Sequence, residues 1–345
     1  MDSISTETSM RSTPSAVNVA KTRDPSIDAL RGFAVFSMFG ANLAPYTLSA
    51  PHPLWFRIWA SVAAPIFVFL AGYTVGARAA SRSIWKYVKR GTALLTVAAL
   101  IDLLCWGVTP FTTFDVLYTI GLGVPACARL VRMNAPWQLG VAAVPIIATP
   151  LLQEVVGYGS ESPSWFLDVV QALLVDGWFP VCPWLGISLC GAIVGRARTT
   201  APGEAQPKLV WAGALTLLAG VAVHALTTPD APTRGGYVEL FYPPSLGYVL
   251  IGIGFILLTL AALRHRGTGP ISRLLAIYGR TALLMYVTHT IIIAFVFKRF
   301  LEPDGFALFL AVYALLAGLL WVVASWVRMC FPNPQSFWTR LLLGS

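Results

Sequence analysis

The sequence predicts an all-α, polytopic integral membrane protein of about ten transmembrane helices, with both termini in the cytoplasm. Three observations carry this reading. Of 345 residues, 57% are hydrophobic and 11% charged, with a mean hydropathy of +0.71, whereas soluble domains carry roughly 25% charged residues. Apolar stretches close to the ~20 residues that cross ~30 Å of hydrocarbon recur along the chain. Basic residues fall in every second connection, as they do when Lys and Arg are retained on the cytoplasmic side. A soluble enzyme, a disordered chain and a disulfide-stapled secreted module are excluded by the same figures.

Residues 1–25 are rich in Ser and Thr, lack an apolar run and read as a disordered cytoplasmic tail without a signal peptide. Residues 26–328 form the transmembrane domain, and 329–345 a cytoplasmic tail. Apolar segments lie near 28–48, 57–77, 91–109, 113–129, 136–155, 178–195, 209–227, 245–263, 274–297 and 306–327. The first contains Asp28, Arg31 and Asn42. The fifth contains Pro145 and Pro150, and the sixth is short with Pro180 and Pro183, which leaves a broken-helix, transporter-like reading open. Segment 163–176 reads as a helix along the membrane surface. Backbone groups in lipid must be satisfied internally, and these segments are too long and too evenly apolar for barrel strands, so they read as helices.

With the N-terminus inside, 19 of the 24 Lys and Arg residues fall in inner segments; four (Arg57, Arg234, Lys298, Arg299) fall outside, and Arg280 lies within a helix. The net charge of +9 therefore records topology, and nucleic acid is not an expected partner. The five cysteines (Cys105, Cys127, Cys182, Cys190, Cys330) form no CxxC or Cys/His cluster. They read as small apolar residues, with no metal site expected. The chain has no N-x-Ser/Thr sequon.

Ionisable residues inside a membrane are expensive, and they mark functional positions. Asp28 and Arg31 share one turn at the inner end of the first helix. Asn42, Asp102, Asp115, His224 and His289 all fall in the outer half of the bundle, and His52 sits in the short outer loop Ser49–Pro53. This pattern describes a polar chamber reached from outside. Each residue alone also reads as a hydrogen-bonded core group.

These residues lie in segments that resemble a known family. Ser26-Ile-Asp-Ala-Leu-Arg-Gly-Phe-Ala34, running into Asn42, resembles the opening of bacterial transmembrane acyltransferases of the heparan-α-glucosaminide N-acetyltransferase-like and YeiB-like group. Many related O-acyltransferases place His where this chain has Asn42. Further likenesses follow in order: His52-Pro-Leu-Trp55, Ala64-Pro-Ile-Phe-Val-Phe-Leu-Ala-Gly72, Lys89-Arg-Gly91, Asp115-Val-Leu-Tyr-Thr-Ile-Gly121, Phe179-Pro-Val-Cys-Pro-Trp-Leu-Gly186 with Gly191 and Gly195-Arg196, and Gly279-Arg-Thr-Ala-Leu283 with Tyr286 and His289. The resemblance runs from about residue 26 to 290.

It implies an acyltransferase that takes acetyl-CoA from the cytoplasm as co-substrate, uses no metal, and acetylates a hydroxyl or amine of a sugar or glycan acceptor at the outer face of a bacterial plasma membrane. It implies His52 as catalytic histidine and Asn42 as its partner at the acyl carbonyl. By their positions in the outer half of the bundle, His289 is a further base candidate and Asp115 or Asp102 a candidate to orient an imidazole. Arg31, Lys89, Arg90 and Arg280 are the candidates for the CoA phosphates. Membrane lipid is the remaining expected partner, and a homo-oligomer is compatible with the sequence. The rival reading is a multi-pass transporter or flippase without acyl transfer.

Overall fold

The computed structural model describes residues 24–79, 82–160, 164–227, 238–263 and 269–343. The tail 1–23, the loop 228–237 and the basic residues Arg234, Arg264 and Arg266 lie outside the described residues. Among the described residues the protein is all-helical, with no strand.

The helices follow the apolar segments in order: α1 (Pro25–Thr47), α2 (Leu54–Ser61), α3 (Ala63–Gly76), α4 (Ile84–Ile101), α5 (Val116–Leu130), α6 (Ala135–Ile147), α7 (Thr149–Val156), α8 (Trp165–Gln171), α9 (Val181–Thr200), α10 (Pro202–Thr227), α11 (Leu246–Leu263), α12 (Pro270–Arg280), α13 (Ala282–Ile292), α14 (Lys298–Phe300), α15 (Phe306–Cys330) and α16 (Phe337–Leu342). Single π-helical turns extend α4 over Asp102–Trp106, α8 over Ala172–Asp176 and α13 over Ile293–Phe297.

Every one of the ten apolar segments is therefore helical. By length and composition, five helices or continuous helix pairs are able to cross a membrane, and up to seven if each sharply bent pair counts as one span. The bends are 41° between α6 and α7 and 47° between the α8 segment and α9. Prolines stand at both: Pro145 sits inside α6 and Pro150 opens α7, while Pro180 caps α9 and Pro183 lies in its first turn; proline removes an amide donor and clashes with the preceding turn. The three expected segments beyond these seven are α1, which holds Asp28, Arg31 and Asn42, α4, which opens with Lys86, Lys89 and Arg90, and α5, which has 15 residues.

Small residues bring the central helices together. Gly72 and Gly76 of α3 lie against the backbone of Ser188 and Ala192 in α9, and Gly191 and Gly195 lie against Phe69 and Tyr73 in return. A Cβ at any of the four would overlap a carbonyl oxygen, so this close crossing requires glycine, as in small-xxx-small helix pairs generally. The same device joins α1 to α12, where Gly32 meets the Leu275 carbonyl and Gly279 the Asp28 carbonyl. By contrast α10 and α15 expose Leu215, Leu218, Leu315 and Trp326 and form the bundle's periphery.

Two connections are pinned. The turn 48–53 is tied to the start of α15: Ser49 Oγ donates to the Asp304 carbonyl at 2.7 Å, and the Asp304 amide donates to Thr47 at 3.2 Å. Asp102 binds both the neighbouring helix α5 and the loop before it. It accepts from Thr113 Oγ1 and Tyr118 Oη at 2.7 Å each and from the Phe111 amide at 3.2 Å.

Candidate functional site

The two ends of α1 define two cavities. Arg31 lies near its start and Asn42 eleven residues later, a rise of about 16 Å at 1.5 Å per residue.

At the Arg31 end a cavity of about 140 Å³ is lined by Arg31, Arg78, Arg82 and Arg90, with Thr74 and Tyr87. Arg31 donates to Thr74 Oγ1 at 2.8 Å and to the buried Asp28 carboxylate at 3.3 Å. Asp28 also receives Arg280 Nε at 3.1 Å, so the ion pair expected between Asp28 and Arg31 holds a second arginine as well. Leu341 of α16 reaches the same cavity.

Two of the four expected phosphate ligands thus line this cavity, Arg31 and Arg90. Lys89 is exposed and outside the lining, because consecutive helix residues point about 100° apart. Arg280 is outside it too, held on Asp28. Arg78 and Arg82 complete the group. In the sequence they count as ordinary inside charges; the signal that marks them is their place directly after the α3 glycines, where the chain turns back across the bundle.

At the Asn42 end a cavity of about 370 Å³ is lined by Asn42, Tyr46, Trp106, Asp115, Trp178, Phe179, Glu239, Tyr242, Tyr286 and Lys298 among others. Three of its residues form a linked set with His289. Tyr286 and His289 lie one turn apart on α13 and so share a face. His289 is fully buried. Its Nδ1 lies 3.0 Å from the Met285 carbonyl, which as an acceptor requires the proton on Nδ1. Its Nε2 therefore accepts from the Asn42 amide nitrogen at 2.9 Å. Tyr286 Oη donates to the Asp115 carboxylate, whose other oxygen caps α5 through the Val116 amide. The Tyr286 and His289 rings meet edge-on at 5.5 Å.

Asn42, His289 and Asp115 are thus brought together. Asn42 is hydrogen-bonded to His289, because the α1–α13 contact places the α13 face opposite Asn42. The carboxylate expected to orient an imidazole is instead bonded to the phenol of Tyr286. His52 stands apart, outside the cavity lining, on the pinned turn ahead of α2. Its ring is edge-on to Phe56 at 6.2 Å, and its Nδ1 is buried without a hydrogen-bond partner. Burial, then the nearby Arg57 charge, hold its pKa below the ordinary 6.5.

The α2 end also holds the 238–242 segment. Arg57 Nε donates to the Val238 carbonyl at 3.1 Å, and the Leu240 amide donates to Ser61 Oγ at 2.8 Å. Glu239 lies between these anchors in the cavity wall, and burial pushes its carboxyl up to about 7 against the lowering effect of Arg57. Beyond this wall a third cavity of about 630 Å³, lined mainly by apolar residues of α2, α3, α10 and α11, also contains His224. Among the described residues no cluster of His, Cys, Asp and Glu has the makings of a metal site.

The two end cavities share a wall: Phe67, Val116 and Tyr286 line both. These three side chains stand between a cavity that is polar and cationic and one that is aromatic with carboxylates.

No curated protein matches the chain. A family model described as a protein of unknown function (DUF418) matches residues 194–334, the stretch from the end of α9 to just past α15. A model described as heparan-alpha-glucosaminide N-acetyltransferase, catalytic, matches residues 23–228, which contain Asn42, His52, Asp115 and all the arginines of the first cavity. That match spans more than half of the chain, and the protein belongs to the heparan-alpha-glucosaminide N-acetyltransferase catalytic family.

Proposed function

We propose that the protein is a membrane-embedded acetyltransferase of the bacterial plasma membrane. It takes acetyl-CoA at the arginine end, on the cytoplasmic side, and delivers the acetyl group to a hydroxyl or amine of a sugar or glycan acceptor in the chamber at the outer end. The observation that carries this reading is that the two cavities lie back to back, with Phe67, Val116 and Tyr286 as their common wall. A donor anchored by its phosphates on Arg31, Arg78, Arg82 and Arg90 has its extended arm directed at this wall, with its thioester toward Asn42.

In the reaction the acceptor's nucleophile attacks the thioester carbonyl, and His52, which stands outside the chamber lining, takes its proton through an intervening water. A neutral imidazole is required, and the lowered pKa of His52 supplies one at neutral pH. The tetrahedral oxyanion receives the second N–H of Asn42, whose amide is held by His289. Collapse breaks the C–S bond, the acetyl group stays on the acceptor, and the CoA thiolate leaves toward the arginine end and is protonated there. Tyr286, fixed by Asp115, stands in the wall where the thioester must pass.

The transfer is tested with purified protein, labelled acetyl-CoA and cell-envelope extract. The expected result is a labelled acceptor; a folded preparation that neither binds acetyl-CoA nor transfers its label overturns the proposal and favours a transporter.

The orientation rests on the basic residues, together with about ten helices crossing the membrane, α1, α4, α5 and α9 among them. A cysteine at Ser83 on a cysteine-free background is expected to resist impermeant thiol reagents in intact cells. Ready labelling there reverses the orientation.

A further inference from the structure

The arginine cavity holds a phenol that the fold itself does not use. Tyr87, in the first turn of α4, lines this cavity and is 6% exposed. Its hydroxyl is buried and has no hydrogen-bond partner among the described residues. Buried polar groups are nearly always paired, so this one calls for a partner from outside the chain. The charges acting on it are all positive: Arg82, Arg78, Arg132 and Arg90. Three of them line the cavity with it. Arg132 donates to the Ala79 and Arg82 carbonyls at 3.3 and 2.6 Å and so holds the connection before α4. The partner that suits an O–H donor set among arginines is an anionic oxygen.

Helix register says which anion. Near the start of α5, Tyr118 bonds to Asp102 at the end of α4 at 2.7 Å. Gly91 packs on the Gly121 carbonyl, and Arg132, past the end of α5, reaches the connection before α4. The two helices are therefore antiparallel, and Val116 of the common wall lies level with the far end of α4. Leu94, Arg90 and Tyr87 all line the cavity and step away from that wall in this order. Tyr87 is about 10 Å farther along the helix than Leu94, at 1.5 Å per residue. A donor with its thioester toward the wall presents its pantetheine arm first, then its diphosphate, and last its ribose-bound phosphate.

We propose that Tyr87 is a specificity-determining residue for the donor: its hydroxyl donates to the ribose-bound phosphate, beside Arg82, and selects acetyl-CoA over thioesters that lack this phosphate. This rests on the transferase reading above. A phosphate monoester offers three strong acceptor oxygens, enough for the phenol and the guanidinium together.

The test is calorimetric titration of the full-length protein with acetyl-CoA and with acetyl-dephospho-CoA, which lacks only the ribose-bound phosphate. Wild type is expected to prefer acetyl-CoA. In Tyr87→Phe, acetyl-CoA affinity should fall about 10- to 100-fold, the range for losing a hydrogen bond to a charged group. Affinity for acetyl-dephospho-CoA should not change, so the preference shrinks by the same factor. Phe keeps the ring, and the hydroxyl has no internal bond to lose, so the fold is retained. Equal loss with both donors overturns the proposal, since Tyr87 then only shapes the cavity. Unchanged affinity for both overturns it too and leaves the hydroxyl to an ordered water. So does a wild type without preference. In each of these cases both donors bind wild type, and the transferase reading stands without Tyr87; a folded wild type that binds neither donor overturns both.

Discussion

His52→Ala is expected to lower acetyl-transfer kcat by about 10²–10⁴-fold, the usual contribution of a positioned general base, while leaving folding and acetyl-CoA affinity nearly unchanged. The asymmetry follows from position: His52 stands on the turn that follows α1, whereas the arginines are at the other end of that helix. Asn42→Ala should cost about 10²–10³-fold, as for one oxyanion donor. His289→Ala should resemble it, because His289 acts by holding the Asn42 amide at 2.9 Å. The Asn42/His289 double variant should then be no worse than the weaker single variant, since groups acting as one unit are not additive. The pH profile gives a second check. Burial and Arg57 lower the His52 pKa, so its base form persists below pH 6.5 and activity should fall only on further acidification. Arg57→Gln removes the lowering charge and should move that limb upward, toward the ordinary value. Wild-type turnover in His52→Ala would eliminate it as base and transfer the role to His289, freed by rotation of Asn42.

Replacing Arg78, Arg82 and Arg90 together by Gln is expected to weaken acetyl-CoA binding by at least about 10- to 100-fold, the range for a single charge-assisted hydrogen bond. It should also flatten the dependence on salt, which screens exposed charge pairs. Lys89→Gln is the control: it removes one charge of the same sign from the same helix but from an exposed position outside the cavity, and should leave affinity near wild type. Calorimetric titration of acetyl-CoA into each variant distinguishes the cases. Equal affinity in the triple variant would reduce these arginines to topological markers.

Helix positions were legible in the sequence because hydropathy reports the length of each apolar run directly, and all ten segments are helical. The count of spans was less legible. A helix such as α1, with Asp28, Arg31 and Asn42 turned inward, looks from its composition like a poor membrane helix. The site was legible as a set of residues and not as a set of pairs. Asn42, Asp115 and His289 were marked by their cost inside a membrane, but nothing local in the sequence says that α13 packs beside α1, so the Asn42–His289 bond had no signal. Arg78 and Arg82 were hidden because, in the sequence, they count as ordinary loop charges of the topology pattern. Glu239 was hidden because a loop carboxylate reads as solvated until the two bonds to α2 fold it into the cavity wall.

The wall formed by Phe67, Val116 and Tyr286 has an electrical consequence. If water fills both cavities, most of the transmembrane voltage falls across those three side chains. Moving one elementary charge through such a drop involves about 2.3 kcal/mol per 100 mV. The donor's phosphates, fixed on the arginines, never enter this field, and on the way in only the uncharged pantetheine arm and acetyl group do. On the way out the thiolate carries one negative charge back through it, so the proposed transfer should respond to membrane voltage through that returning thiolate.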